Sequence, residues 1–340
     1  ATQRLASHLG WPLVPDITSR LRLGGAQGAG RVPYGDLILT SEAFREAHAP
    51  DAVLQVGGRF ASKRLRLFLR DCGLDTWAVV RPDPSRIDPD HRVTHHVEAD
   101  VPAFADALIA RLDDGGGVTN WRQAWTTASD RAEAVVRTHA EEADALTEPL
   151  VATVLSDAMP SRHVLVAASS MPVRDLNRHG STDGPAGPAY ANRGASGIDG
   201  TVATAAGVAT GRDGPVTLLI GDLALWHDLN GLALLQDREV VVIVVNNDGG
   251  GIFHFLPIRE YDDFDPYFTT PHGRDFEDAA ATFDLPYHRP ETPSAFRGAY
   301  REACQSVESV LIEVKTDREV NQRVHETLEQ EVAGTVGESR

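Results

Sequence analysis

The sequence predicts an α/β protein of two parallel-sheet domains, and three observations carry that reading. A chain of 340 residues is too long for one ordinary domain. Short apolar runs alternate along it with helix-like stretches, as in a parallel sheet with crossover helices. In the second half those runs are apolar without interruption, as strands buried on both faces are.

In the first segment, to about Leu112, residues 37–39, 52–56 and 77–80 read as strands. Between the last two, residues 63–70 set leucines among arginines as an amphipathic helix does. The run Gly24-Gly-Ala-Gln-Gly-Ala-Gly30 follows Arg-Leu-Arg-Leu rather than a buried strand and lacks an acidic ribose ligand. It therefore reads as a flexible loop and not as a dinucleotide fingerprint. Residues 113–117 read as a linker, which places the predicted domains at 1–112 and 118–340. Beyond it, residues 121–145 predict a long helix. The second domain's strands are predicted at 163–168, 216–220, 240–245 and 309–314, with helices at 201–210 and 228–236.

Composition narrows the function classes. A hydrophobic fraction of 42% and a charged fraction of 24% are those of a globular chain with a packed core. A formal net charge of −17 argues against nucleic acid and against an anionic membrane surface. Of the 32 basic residues only Lys63 and Lys315 are lysines, which suggests a high-GC, salt-adapted source. Cys72 and Cys304 match no metal-ligand spacing and read as reduced thiols of a cytoplasmic protein. No apolar run approaches membrane-spanning length. The chain opens Ala1-Thr2-Gln3 with neither Met nor signal peptide, so part of the natural protein is expected to be missing.

The chemistry concentrates in Gly221-Asp-Leu-Ala-Leu-Trp-His-Asp and, after the next apolar run, Asn246-Asn-Asp-Gly-Gly-Gly251. Asp222 and Asn247 lie 25 positions apart, each at the end of a predicted buried strand. A right-handed crossover brings both to the carboxyl edge of the sheet, where ligands of open α/β sheets bind. A carboxylate and an amide carbonyl are hard donors suited to Mg²⁺ or Ca²⁺ rather than Zn²⁺. An ion with so few protein ligands fills its shell with phosphate oxygens and water. A diphosphate is therefore expected, cradled by the N–H groups of Leu223 and Ala224 where the next helix begins. Alone, an Asp at a strand end is commonly an N-cap and Asn-Asn-Asp-Gly a turn; the pair at this spacing is the specific signal.

Gly-Asp, some 25 residues, then Asn-Asn resembles the motif by which thiamin-diphosphate enzymes hold their cofactor through Mg²⁺ (or Mn²⁺). The surroundings resemble one family in particular, the 2-succinyl-5-enolpyruvyl-6-hydroxy-3-cyclohexene-1-carboxylate synthases of menaquinone biosynthesis. The marks are Ser169-Ser-Met-Pro-Val-Arg-Asp175, Asn192-Arg-Gly-Ala-Ser-Gly-Ile-Asp-Gly200, Asn246-Asn-Asp-Gly-Gly-Gly-Ile-Phe253 and Tyr287-His-Arg-Pro290, with a fainter match at Ser62-Lys-Arg-Leu65. The resemblance implies a thiamin-diphosphate-binding fold for the second domain and the middle domain of such enzymes for the first. It implies a transferase that decarboxylates 2-oxoglutarate and adds the acyl carbanion equivalent to isochorismate.

By that resemblance Asp222, Asn247 and the backbone oxygen of Gly249 ligate the metal. Ser196, Gly197, Ile198, Gly221, Leu223, Ala224, Gly250, Ile252 and Phe253 join them around the cofactor. Lys63, Ser170, Arg174 and Arg193 take the anionic substrates, since an Arg fork pairs bidentately with a carboxylate. Ile198 and Arg193 are the implied catalytic residues. Ile198 wedges the cofactor into the bent form in which it deprotonates itself. Gly251 departs from the polar residue of relatives. His95, His96, His254 and His272 read as surface or loop histidines. The family also uses a pyrimidine-binding domain, outside these residues, that supplies a glutamate, and builds its sites between subunits. A homodimer or homotetramer and an inactive 340-residue chain are thus expected. The alternatives are another thiamin-diphosphate 2-oxoacid decarboxylase, an acetohydroxyacid synthase, or a non-catalytic scaffold of the same fold.

Overall fold

The computed structural model describes residues 1–24, 28, 30–112, 119–185, 187–195 and 197–337. The linker expected at 113–117 and most of the glycine run at 24–30 lie outside them. By contacts the chain forms two compact units, one of residues 1–16, 26–135 and 329–340, the other of 17–25 and 136–328.

The first unit carries three parallel strands, β1 (Ala52–Val56), β2 (Thr76–Arg81) and β3 (His95–Glu98), in the order β1-β2-β3. The helix Lys63–Asp71 joins the first two, and Ser62 caps it by accepting from Leu65 N at 2.9 Å. Residues 37–39, expected as a strand, instead lie in and beside a short helix, Gly35–Ile38. Three apolar residues are too few to separate the two periods. What decides is burial: Leu37, Ile38 and Leu39 are all fully enclosed with no ladder partner. β3 escaped notice because it is a polar edge strand with no apolar alternation.

The second unit is built on six parallel strands, ordered β5-β4-β6-β7-β9-β8. They are β4 (Val164–Ala167), β5 (Ala189–Ala191), β6 (Val216–Gly221), β7 (Val240–Asn246), β8 (Tyr287–His288) and β9 (Val310–Lys315). Every residue of β7 is buried, as its uninterrupted apolar run requires. The predicted helices at 121–145 and 201–210 are present as Asn120–Glu142 and Thr201–Arg212. That at 228–236 is a 3₁₀ segment, Leu229–Leu235. Asp228 there accepts from Val202 N at 2.5 Å, so its carboxylate caps the start of another helix and not of its own segment. Among the described residues no helix is long and apolar enough to cross a membrane.

Two register facts position the site. β6 and β7 pair in parallel with Gly221 opposite Val245, so Asp222 and Asn247 leave the sheet at the same edge. Behind them Asn246 donates to the buried Glu313 of β9 at 2.6 Å, and Thr316 N donates to Asn246 O at 3.0 Å. The end of β7 is therefore clamped before the functional loop begins.

Candidate active site

Asp222 begins the helix Asp222–His227 directly after β6 and is 2% exposed. Its Oδ1 accepts from Leu223 N at 2.6 Å and its Oδ2 from Gly249 N at 2.8 Å. His272 Nδ1 accepts from Arg274 N at 3.1 Å, which leaves Nε2–H to donate to Asp222 Oδ2, also at 3.1 Å. Burial raises the Asp222 carboxyl above its ordinary range, while the two backbone N–H groups and His272 oppose the rise. A buried carboxylate held by three donors is directed and costly to keep charged, which is the state a cation relieves.

Asn247 is oriented by a residue that sequence reasoning missed. Its Nδ2 donates to Glu148 Oε1 at 2.7 Å. Its Oδ1 is buried and has no hydrogen-bond partner among the described residues. Glu148 opens the helix Glu148–Ala158, and its own N–H donates to Asn321 Oδ1 at 3.0 Å. The side-chain amide is thus fixed oxygen-first, an orphaned acceptor of the kind a metal ion satisfies.

The loop after Asn247 needs glycine at 249 and 250, where a Cβ would meet backbone oxygens. Gly249 has φ 131, and a Cβ there would run into Thr269 O; a Cβ on Gly251 would run into the Asn247 carboxamide. A side chain at 251 would thus press on the Asn247 carboxamide, the metal-ligand candidate, and move it. Asp248, at φ 61, pins the loop by accepting from His272 N and Gly273 N at 2.9 and 2.7 Å.

One cavity of about 190 Å³ collects Ser170, Ile198, Gly221, Asp222, Leu223, Ala224, Asn247, Gly249, Gly250, Ile252 and Phe253. Glu148, Met171 and Asp175 line it too. Leu223 N–H donates to Asp222 Oδ1, while the residue itself lines the cavity. The Gly249 carbonyl accepts from Gly251 N at 3.0 Å and keeps its second lone pair.

Comparisons with known proteins bear on this geometry. The family described as "Middle domain of thiamine pyrophosphate" matches residues 1–166, and "Thiamine pyrophosphate enzyme, C-terminal TPP binding domain" matches 178–314. The 2-succinyl-5-enolpyruvyl-6-hydroxy-3-cyclohexene-1-carboxylate synthase of Salinibacter ruber is 73% identical over 99% of this chain and 57% of its own length. That of Rubrobacter xylanophilus is 50% identical over 98% of the chain and 58% of its length. That of Myxococcus xanthus is 38% identical over 99% and 57%. The chain belongs to this synthase family of thiamin-diphosphate enzymes. It spans somewhat more than half the length of these curated relatives, 57% in the first of them.

The residues that the synthase family would use on substrate sit differently from the cofactor residues. Ser170 lines the cavity, and Arg174 Nη1 donates to the Ser170 carbonyl. Burial lowers the Arg174 pKa, as do the nearby Arg193 and Arg178 guanidinium groups. Arg174 and Arg193 thus belong to one cationic cluster, though neither lines the cavity. Gly197 is exposed, and Ser196 lies outside the described residues. Lys63 is exposed at the start of its helix in the first unit. His272, read as a surface or loop histidine, does lie on a loop but turns its ring inward to Asp222. No spacing rule could have paired two residues 50 positions apart.

Ser170 has φ 70 and ψ −133, a conformation that only glycine adopts freely. Ser170→Gly is expected to raise stability by about 1 kcal/mol, read from the denaturant midpoint, because relieved strain outweighs the glycine's added chain entropy. An unchanged or lower midpoint would show that the backbone there is unstrained.

Beneath the cavity, burial pushes His325 down to about 3 and His179 well below 6.5. Both imidazoles stay neutral in the fold, whereas the unfolded chain protonates them near 6.5. Their contribution is therefore intact above that pH and is lost as pH falls through it, by about 1.4 kcal/mol per histidine per unit. The carboxyls of Glu148 and Asp175, raised chiefly by burial, act in the opposite sense as pH falls toward the ordinary carboxyl range. Urea unfolding of the chain and of His179→Gln, in chelator between pH 7 and 5, separates the two. The variant is expected to lose less stability on acidification.

Proposed function

We propose that the protein uses thiamin diphosphate and Mg²⁺ (or Mn²⁺) to decarboxylate 2-oxoglutarate and join the product carbanion to isochorismate, giving 2-succinyl-5-enolpyruvyl-6-hydroxy-3-cyclohexene-1-carboxylate. The observation that carries the reading is the convergence of Asp222 and the orphaned Asn247 Oδ1 at one sheet edge. The donor set fits the group: hard oxygens from Asp222, Asn247 and the Gly249 carbonyl would suit Mg²⁺, the ion that accompanies a diphosphate. When bound, thiamin diphosphate supplies the electron sink for the carbon–carbon chemistry.

The chain's own residues do the rest. Asp222, Asn247 and Gly249 hold the metal, and Glu148 and His272 orient the first two. Ile198, partly buried against the core, shapes the cavity wall with Ile252 and Phe253 and keeps water from it. Arg174 and Arg193, with the Ser170 hydroxyl, bind and orient the substrate carboxylates. In this reading residues 1–112 act as the middle domain and residues 118–340 as the diphosphate domain of a cytoplasmic homodimer or homotetramer. A pyrimidine-binding domain completes the site, so the 340 residues alone do not turn over.

The test is CO₂ release from 2-oxoglutarate, with and without isochorismate, by the full-length natural protein and by the 340 residues alone. Activity in the first and none in the second supports the proposal. Preference for pyruvate would favour a 2-oxoacid decarboxylase or acetohydroxyacid synthase. Cofactor-independent inertness of the full-length protein would favour a scaffold.

A further inference from the structure

The helix Met171–His179 presents Asp175 and His179 one turn apart on the same face, and His325, from the helix Arg318–Gly337, meets them. All three are sealed from solvent, at 2%, 0% and 1% exposure. One ligand atom from each lies within 4.8 Å of the others. His325 Nε2 and Asp175 Oδ1 are 3.3 Å apart, yet among the described residues neither completes a hydrogen bond, and His179 Nδ1 has no partner there either. Asp175 Oδ1 and His325 Nε2 are thus left unsatisfied beside each other, and the two rings meet through His179 Nε2 and His325 Nδ1 at 3.4 Å. A folded chain leaves few such atoms, and each calls for an occupant.

We infer that Asp175, His179 and His325 form a second metal site, selective for a borderline divalent ion of the Zn²⁺ class. The donor chemistry separates it from the oxygen-only set at Asp222 and Asn247: two imidazoles and one carboxylate suit Zn²⁺, Co²⁺ or Ni²⁺ and are a poor cage for Mg²⁺. Both imidazoles are kept neutral by burial, the protonation state that ligates. Asp175 also lines the cavity, so its carboxylate is the side of the cluster nearest that space. Tetrahedral ligand atoms about 2.0–2.1 Å from zinc lie roughly 3.3 Å from one another, so the cluster closes with small side-chain rotations. Glu148, hydrogen-bonded to Asp175, stands behind the carboxylate as an outer-sphere partner. The inference is independent of the thiamin reading, since none of its three ligands is assigned to the cofactor.

Equilibrium dialysis of the 340-residue chain against Zn²⁺, with Mg²⁺ in excess, tests it. One tightly held zinc is expected per chain, retained in Asp222→Ala and weakened at least tenfold in His325→Gln. Because His325→Gln alters a sealed position, Co²⁺ is added to the unmutated chain as well. A visible d–d absorption of a low-coordinate nitrogen-ligated ion is expected, bleached by added Zn²⁺ and not by Mg²⁺. No zinc beyond what Asp222→Ala removes, zinc held equally well without His325, or a featureless cobalt spectrum would each overturn the site and leave a water as the occupant.

Discussion

Asp222→Ala is expected to weaken Mg²⁺ binding at least about 100-fold, more than the roughly 10–100-fold that losing an outer-sphere partner costs. The substitution removes the only formal negative charge among the three proposed ligands. It also takes the shared acceptor from Leu223 N and Gly249 N, so the loop that presents Asn247 loses a tether. Trp226 provides the readout: its ring stacks on Phe276 at 4.7 Å and meets the His272 ring at 6.1 Å, and His272 contacts Asp222. Mg²⁺ titrations followed by tryptophan fluorescence should shift in wild type and stay flat in the variant. The two freed N–H groups cost about 1–3 kcal/mol each where they remain buried and unsatisfied, so unfolding midpoints should be compared in parallel. Equal Mg²⁺ affinity in a folded variant would remove Asp222 from the metal site.

Glu148→Ala should weaken Mg²⁺ about 10–100-fold without touching a ligand. Asn247 Nδ2 loses its acceptor, and the amide is then free to turn its nitrogen toward the metal position. Glu148→Gln supplies a carbonyl oxygen at the same place and should restore most of the affinity. That rescue separates orientation from charge, because Gln restores the hydrogen bond and not the carboxylate. If Gln were as damaging as Ala, Glu148 would be acting through its charge instead. The same titration reads both variants.

The parallel α/β architecture was legible because buried parallel strands write themselves as apolar runs, and β6, β7 and β9 are such runs. The Asp222/Asn247 pair was legible for a related reason: the sheet turns a sequence spacing into a shared edge. The short helix at Gly35–Ile38 was not, since a three-residue apolar run has no period and only its full burial decides it. Glu148 and His272 escaped because they reach their partners across 99 and 50 positions, where no local pattern links them. The cluster of Asp175, His179 and His325 was half visible. Asp175 and His179 share a helix face, but His325 arrives 146 positions after His179.

The central claim, that this cavity holds a diphosphate through a metal on Asp222 and Asn247, is tested most directly by calorimetric titration of thiamin diphosphate into the protein, with Mg²⁺ and with chelator. The account predicts heat of binding in Mg²⁺ that vanishes in chelator and in Asp222→Ala. Binding that survives in chelator, or no binding by the full-length protein in saturating Mg²⁺, would contradict it.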